Sequence, residues 1–336
     1  MTKQEFNRRL VLTERPVGVP TPSHFKRDDQ PIESIVDGQF LVRNLFLSID
    51  PAQRGWVNAS ANYADPVPIG GVMRSLAVAM VEESRDQKYP VGQHLYGWFG
   101  WQDYCIATDK SVLSRVDLNN GPLSTGAGIF GITGITAYLA LTEIGQPKAR
   151  ETVLVSTAAG AVGSIVGQIA RRLGCQVVGL TGADDKVKQC VAEYGYHCAV
   201  NYRTNLTTDT LRAACPHGID VFFDNTGGEI ADAVWPLLNA RARIVQCGTA
   251  SIAVWSPPPN GPRRERDVLT KRLRHEGFVI FDHVAKFPAV IEQLATWLKD
   301  GSVVSREDIE DGIDQAPGAL QDLYRGENRG KKIIRL

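Results

Sequence analysis

The chain has 336 residues, which at about 150 residues per domain is room for two domains with separate cores. Lys plus Arg and Asp plus Glu both number 37, a net charge of +0, so no bulk field recruits nucleic acid or an anionic membrane and a small molecule is the expected partner. Hydrophobic residues at 43% and charged residues at 22% exclude a wholly disordered chain.

The opening stretch MTKQEFNRRLVLTERP alternates charged and apolar residues and lacks the continuous apolar core of a secretion signal. Up to about residue 120, runs such as FLVRNLFLSI, LAVAMVEE and QHLYGWFGWQDYCIAT are separated by Gly, Pro and Asp turns with few helical periods, which predicts a mainly β domain. From Thr152 to Phe281 one theme repeats, a β-branched run followed by a helical segment, the pattern of a parallel sheet with crossover helices. The runs are VLVS at 153, QVVGL at 176, CAVNY at 198, DVFFD at 220, RIVQC at 243 and FVIF at 278. Helical pieces are expected at 162–173, 184–194, 208–214, 230–238 and 268–275, giving a doubly wound, six-stranded α/β sheet. Residues 251–266 carry prolines at 257, 258, 259 and 262 and read as a loop. FPAVIEQLATWLK at 287 has helical spacing, and the closing KKIIRL reads as a strand that rejoins the first domain.

The most apolar stretch, 153–173, is broken by Ser156, Thr157, Ser164, Gln168, Arg171 and Arg172 and is no membrane span. Six scattered cysteines read as reduced, cytoplasmic thiols. With no Cys-x-x-Cys or His-Glu-x-x-His spacing, no metal site is expected.

Directly after the first strand of the parallel sheet comes Ala158-Ala159-Gly160-Ala161-Val162-Gly163, a relaxed dinucleotide fingerprint with Ala158 in place of its first glycine. Gly160 allows the backbone to approach a pyrophosphate, Gly163 allows close helix packing, and the helix N-terminus favours the anion. A merely packed helix start is the alternative, and the position on strand one of six favours the cofactor. The second strand ends in Leu180-Thr181-Gly182-Ala183 without the carboxylate of an NAD site, and Lys186 follows in the first turn of a helix, where a cation opposes the macrodipole. A 2′-phosphate nearby explains it; simple balance of Asp184 and Asp185 is the other reading. Tyr202, after strand three, offers a hydroxyl to the same phosphate or is a half-buried aromatic.

NLFLSIDPAQRGW at 44, YGWFGWQDY at 96, GITGITAYLAL at 131, VLVSTAAGAVGSIVGQIA at 153, DNTGG at 224 and GENRGKKII at 326 resemble the medium-chain dehydrogenase/reductase superfamily, in its zinc-independent NADPH double-bond reductases. That group includes leukotriene/prostaglandin, 2-alkenal and curcumin reductases. The resemblance implies a GroES-like, mainly β catalytic domain from both chain ends (1–124 and 297–336) around a Rossmann domain (125–296), with NADPH/NADP bound and a homodimer as the working form. By motif match, Gly160, Ala161, Val162 and Gly163 would cradle the pyrophosphate, and Lys186 and Tyr202 would hold the 2′-phosphate. Asn225, Cys247, Gly248, Ser251, Phe278, Val279, Ile280 and Asn328 would line the rest of the cofactor; taken singly, DNTGG reads as a β-turn, Cys247 as a buried small apolar residue, Phe278 as core and Asn328 as a turn residue between Gly326 and Gly330, and their joint occurrence in family order favours the cofactor.

Where many relatives have Tyr-Met after Asp-Pro, this chain has Ala52-Gln53 after Asp50-Pro51, so substrate preferences do not carry over. Tyr63 stands where some relatives place a substrate-facing tyrosine, and an ordinary exposed loop tyrosine is the equal alternative. The implied reaction is hydride transfer to the β-carbon of an α,β-unsaturated ketone or aldehyde, then protonation at the α-carbon, with the cofactor's own ribose 2′-hydroxyl as donor to the carbonyl oxygen and Tyr63 as a second donor or proton source. Trp56, Trp98, Trp101 and Trp255 either wall an apolar pocket or belong to the core. The competing functions are NADPH:quinone reduction, metal-free alcohol dehydrogenation, and a non-catalytic NADPH-binding sensor.

Overall fold

A computed structural model of the chain describes residues 6–59, 63–252, 254–255, 257 and 259–336. The proline-rich loop thus lies partly outside the described residues, at 253, 256 and 258. The chain divides into two units, one of residues 1–131 and 307–336, the other of 132–306.

In chain order the first unit opens with β1 (Phe6–Leu12) and β2 (Phe25–Pro31), an antiparallel pair. Then follow β3 (Phe40–Ser48), the short α1 (Ala52–Trp56), β4 (Leu76–Ser84), β5 (His94–Trp98), β6 (Tyr104–Ala107) and β7 (Val112–Arg115). The second unit runs α2 (Ile132–Leu139), β8 (Thr152–Ser156), α3 (Ala161–Arg172), β9 (Gln176–Thr181), α4 (Asp184–Ala192), β10 (Cys198–Asn201) and the single-turn α5 (Tyr202–Asn205). It continues with α6 (Thr208–Ala214), β11 (Ile219–Asp224), α7 (Gly228–Val234), β12 (Leu238–Gln246), α8 (Glu265–Lys271), β13 (Arg274–Gly277) and α9 (Phe287–Lys299). The chain then re-enters the first unit as β14 (Glu307–Asp311), α10 (Ala316–Arg325) and β15 (Lys331–Arg335).

The second unit's strands lie in the order β10-β9-β8-β11-β12-β13, and every neighbouring pair is parallel. All five residues of central β8 are buried, because helices cover both faces of a parallel sheet. In the first unit the order is β14-β15-β3-β4-β5-β7, with β6 also on β3. β15 runs antiparallel to β3, pairing Ile334 with Leu47, so KKIIRL does rejoin the first unit.

The sixth parallel strand differs from expectation. It is the polar Arg274–Gly277, with all four residues exposed, and not FVIF at 278. An edge strand needs no apolar alternation, so backbone pairing alone fixes it. Phe278 adds one more bond, N–H to Gln246 O at 3.1 Å, after which Ile280–Lys286 turns as a 3-10 segment. The helix before β13 accordingly spans 265–271 rather than 268–275, and α7 stops at Val234, two residues before Pro236. The chain passes between units at 131/132 and 306/307, C-terminal of the expected 124/125 and 296/297, since α9 runs unbroken through residue 296. Trp56 and Trp101, at 1% and 0% exposure, are core residues, whereas Trp255 is 51% exposed.

Candidate cofactor site and catalytic residue

The loop between β8 and α3 is tight enough to need an unusual backbone. Thr157 adopts φ +51° without being glycine, a conformation that sustains itself only where surrounding structure holds it. A Cβ at Gly163 would stand 2.3 Å from Thr157 O and 2.9 Å from Ala158 Cα, so only glycine lets α3 start this close to the strand. At the N-cap Gly160 the same atom would meet only Thr157, its oxygen at 3.1 Å, and otherwise open space. No side chain caps the helix there, so the first-turn amides of Ala161, Val162 and Gly163 face outward as anion donors. A pyrophosphate fits this arrangement. The departure at Ala158 is compensated across the sheet, because a Cβ at Gly179 of β9 would come within 2.7 Å of the Ala158 methyl.

The structure brings the DNTGG and CGTAS strings together at the ends of β8, β11 and β12. Asp224, 1% exposed, is the centre of this arrangement. Its Oδ1 accepts from Ser156 Oγ (3.1 Å), Thr226 N (2.8 Å), Thr226 Oγ1 (3.0 Å) and Gly227 N (2.9 Å), and its Oδ2 accepts from Gln246 Nε2 (3.2 Å). Asn225 Nδ2 donates to Ser156 O at 2.7 Å, tying the turn to β8. The segment after β12 is laced to the same turn. Cys247 N and Gly248 N donate to Asp224 O at 2.8 and 3.1 Å, and Ser251 Oγ donates to Thr226 O at 2.8 Å. A Cβ at Gly248 would stand 2.8 Å from Asn225 O. Burial pushes the Cys247 thiol up to about 12, so it stays protonated and unreactive. Phe278 stacks on His283 with ring centroids 4.8 Å apart. Sequence reasoning read DNTGG for Asn225 and missed Asp224, whose signal was a carboxylate directly after the apolar run Val221–Phe223.

At the far side of the sheet, β9 gives way to Gly182 and Ala183, and α4 begins without a side-chain cap. Lys186 is in its first turn, and Tyr202 opens α5. A Cβ at Gly182 would lie 2.8 Å from Tyr202 Oη and 3.2 Å from Arg203 Nε, so Arg203, which sequence reasoning passed over, stands beside the phenol.

Tyr63 and Asn328 belong to the first unit. Tyr63 is 51% exposed, and Asn328 Nδ2 donates to Gly330 O at 2.7 Å. The departure at Ala52-Gln53 is structural as well: Gln53 is fully buried, its Oε1 accepting from Asp50 N (2.9 Å) and its Nε2 donating to Arg74 O (3.3 Å). Lys331 Nζ donates to Asp50 Oδ1 at 2.8 Å and Ile49 O at 2.6 Å, and burial holds its ammonium below the usual lysine value. Tyr324 Oη donates to Pro51 O at 2.6 Å under the Arg54 guanidinium, 4.8 Å from the ring centre. Burial keeps that phenol above its ordinary value, and the Tyr63 phenol acts in the same direction.

A six-stranded parallel sheet in this order, with an open helix N-terminus after its first strand, is the architecture of a dinucleotide-binding domain. Residues 8–115 match the family model described as the N-terminal domain of oxidoreductase, and 161–296 match that described as zinc-binding dehydrogenase. The chain is 38% identical to the NADPH-dependent curcumin reductase of Escherichia coli (strain K12), covering 99% of this chain and 98% of that protein. It is 35% identical to the NADP(+)-dependent 2-alkenal reductase of Nicotiana tabacum, over 99% and 98%. A solved structure of CurA from Vibrio vulnificus superposes with TM-score 0.92 at 36% identity, covering 98% of each chain, and its complex with NADPH with TM-score 0.91. A Pseudomonas syringae quinone oxidoreductase, at 17% identity and TM-score 0.81, shares the fold. The chain belongs to the medium-chain dehydrogenase/reductase superfamily, among its NADPH-dependent double-bond reductases.

Proposed function

We propose that this chain reduces the carbon–carbon double bond of α,β-unsaturated ketones and aldehydes with NADPH, without a metal ion. The observation that carries the reading is the open anion cradle at Gly160–Gly163 beside a strand end that offers Lys186 and Tyr202 in place of a carboxylate. Bound NADPH supplies a hydride for the β-carbon of the substrate. The chain's own task is then to position the substrate and to stabilise the negative charge growing on the carbonyl oxygen. We assign to Tyr63 the role of a second hydroxyl donor to that oxygen or of the proton source for the α-carbon. Residues 160–163 would hold the pyrophosphate. The turns around Asp224, with Asn225, Cys247, Gly248 and Ser251, the segment Phe278–Ile280, and Asn328 would hold the adenosine and nicotinamide halves. Although one matching family is described as zinc-binding, no group of three or more His, Cys, Asp or Glu among the described residues could hold a metal ion, and no step here runs through one.

We also propose a homodimer, on the support of the exposed edge strand β13, which closes one side of the parallel sheet. A cytoplasmic location is supported by the six free cysteines, and no helix among the described residues is long and apolar enough to cross a membrane.

The test follows NADPH and NADH oxidation against an alkenal, an aryl enone, a diarylheptanoid dienone and a quinone. Preferential NADPH consumption with saturated carbonyl products is expected. Turnover of the quinone alone would replace ene-reduction with quinone reduction, and tight NADPH binding without any turnover would point to a sensor. In the same assay Tyr63→Phe should lose about a hundredfold in enone turnover, and an unchanged rate removes Tyr63 from the mechanism.

A further inference from the structure

We infer that Arg203 is a second cation for the cofactor's 2′-phosphate and a determinant of the preference for NADPH over NADH; this rests on the NADPH assignment above. The end of β9 is the strand end at which NAD and NADP sites differ. In a site selective for NAD a carboxylate there accepts the ribose hydroxyls, whereas an arginine nearby accommodates a 2′-phosphate. Here the strand ends in Thr181, Gly182 and Ala183, and the space over Gly182 is flanked by Tyr202 Oη and Arg203 Nε, 2.8 and 3.2 Å from where a Cβ would be. A side chain at 182 would displace both donors. Glycine leaves the phenol and the guanidinium together at the strand end.

The donors are held there by their own turn. Asn201 caps α5, its Oδ1 accepting from Arg203 N at 3.1 Å. The same side chain donates through Nδ2 to Asp184 Oδ1 at 2.7 Å, which joins the end of β10 to the start of α4. That bond also bears on charge. Asp184 and Asp185 are the carboxylates closest in sequence to this corner, and each would repel a phosphate. Asp184 is turned toward the Asn201 amide, and Asp185 Oδ1 accepts from Lys186 N at 2.9 Å. Both carboxylates are thereby engaged by N–H donors, and the cations closest in sequence to the corner are Lys186 and Arg203. The two cations differ in kind. An ammonium acts as a compact charge, whereas a guanidinium presents paired N–H donors that match two phosphate oxygens. Arg203 is exposed, so its substitution leaves the core intact and its attraction for phosphate is screened by salt.

The experiment is a fluorescence titration of the full chain and its Arg203→Ala variant with NADPH, NADH, 2′,5′-ADP and 5′-AMP. NADPH and 2′,5′-ADP should weaken by about tenfold or more in the variant, while NADH and 5′-AMP stay within about twofold. Arg203→Lys, which keeps the charge, should recover part of the loss, and the gap between wild type and Arg203→Ala should narrow as salt rises. Equal weakening of NADPH and NADH would mean that Arg203 only props the loop, and unchanged NADPH binding would remove it from the site; either result overturns the inference. If the wild-type chain itself binds NADH as tightly as NADPH, the cofactor assignment falls first and this inference with it.

Discussion

Two carboxylates in this molecule meet opposite fates. Asp224 collects five donors at the ends of three strands, which offsets the desolvation of its charge and makes it the pin of the turns that follow β11 and β12. Glu307, at the start of β14, has its Oε1 shielded from solvent without a hydrogen-bond partner. The backbone offers it little room, since a Cβ at Gly128 would stand 2.6 Å from that oxygen. Burial therefore raises the Glu307 pKa above the usual carboxylate value, against the hydrogen bond from Ser124 and the charge of Lys331. The sign of the consequence is fixed. With the folded pKa above the unfolded one, the folded state holds an extra proton between the two, so stability falls as pH rises through that window. Denaturation of the wild type and Glu307→Gln across that range checks this. The wild type should gain on the variant as pH falls, because the variant has no charge to lose. A stability difference that stays flat from neutral pH into the acid range would show that Glu307 is solvated in the native state.

At the scale of elements, the start of the Rossmann sheet is a stack of close approaches. Tyr196 lies buried against α3, its Oη donating to Gly163 O at 2.7 Å. A Cβ at Gly167 would stand 2.2 Å from its ring, and one at Gly179 3.1 Å. Alanine in a helix is ordinarily better than glycine by about 1 kcal/mol. At 167 overpacking should reverse that and leave Gly167→Ala less stable by about 1–3 kcal/mol in denaturant unfolding; a stabilised variant would show that the ring moves aside at no cost. The same scale shows what a single sequence can disclose. Helix α9 spans the expected 287–299, and the apolar runs at 153, 176 and 220 are strands, because in each the buried side chains are themselves the signal. β13 and the acidic β14 (EDIED) carried no such signal, as both are edge strands recruited by backbone hydrogen bonds from a neighbour. The site divides along the same line. As candidates, Gly160, Gly163 and Lys186 were readable from spacing and local charge, since each stands in its own turn. Arg203 was not, because its place over Gly182 depends on how β10 turns into α5, and that turn is set by the Asn201 bond to Asp184.

For the whole molecule, the decisive feature is that one unit is continuous in sequence and the other is not. Residues 132–306 form their parallel sheet from a single stretch, but the seven-stranded sheet of the first unit needs both chain ends. β15 lies between β14 and β3, with Ile333 and Ile334 at 0% exposure and Lys331 Nζ donating to Asp50 Oδ1 at 2.8 Å. Removing residues 331–336 deletes all of this at once. Each lost isoleucine alone is worth about 2–5 kcal/mol, against a total stability of about 5–15 kcal/mol for a domain. Asp50 would also lose the cation that compensates its burial. The truncated chain should therefore fail to hold β3 and β4 while β8, β9 and β11, which take no hydrogen bonds from the tail, stay folded. Hydrogen exchange by mass spectrometry reads this directly. Amides of 40–48 and 76–84 should exchange at close to the unfolded rate, and those of 152–156, 176–181 and 219–224 should keep their protection. Added NADPH should deepen the protection of the second set, because Gly160–Gly163 and the Tyr202–Arg203 pair over Gly182 all lie within 132–306. Loss of protection in both sets together would mean that the parallel sheet depends on the first unit for its stability, in which case the chain folds as one cooperative body despite its two cores.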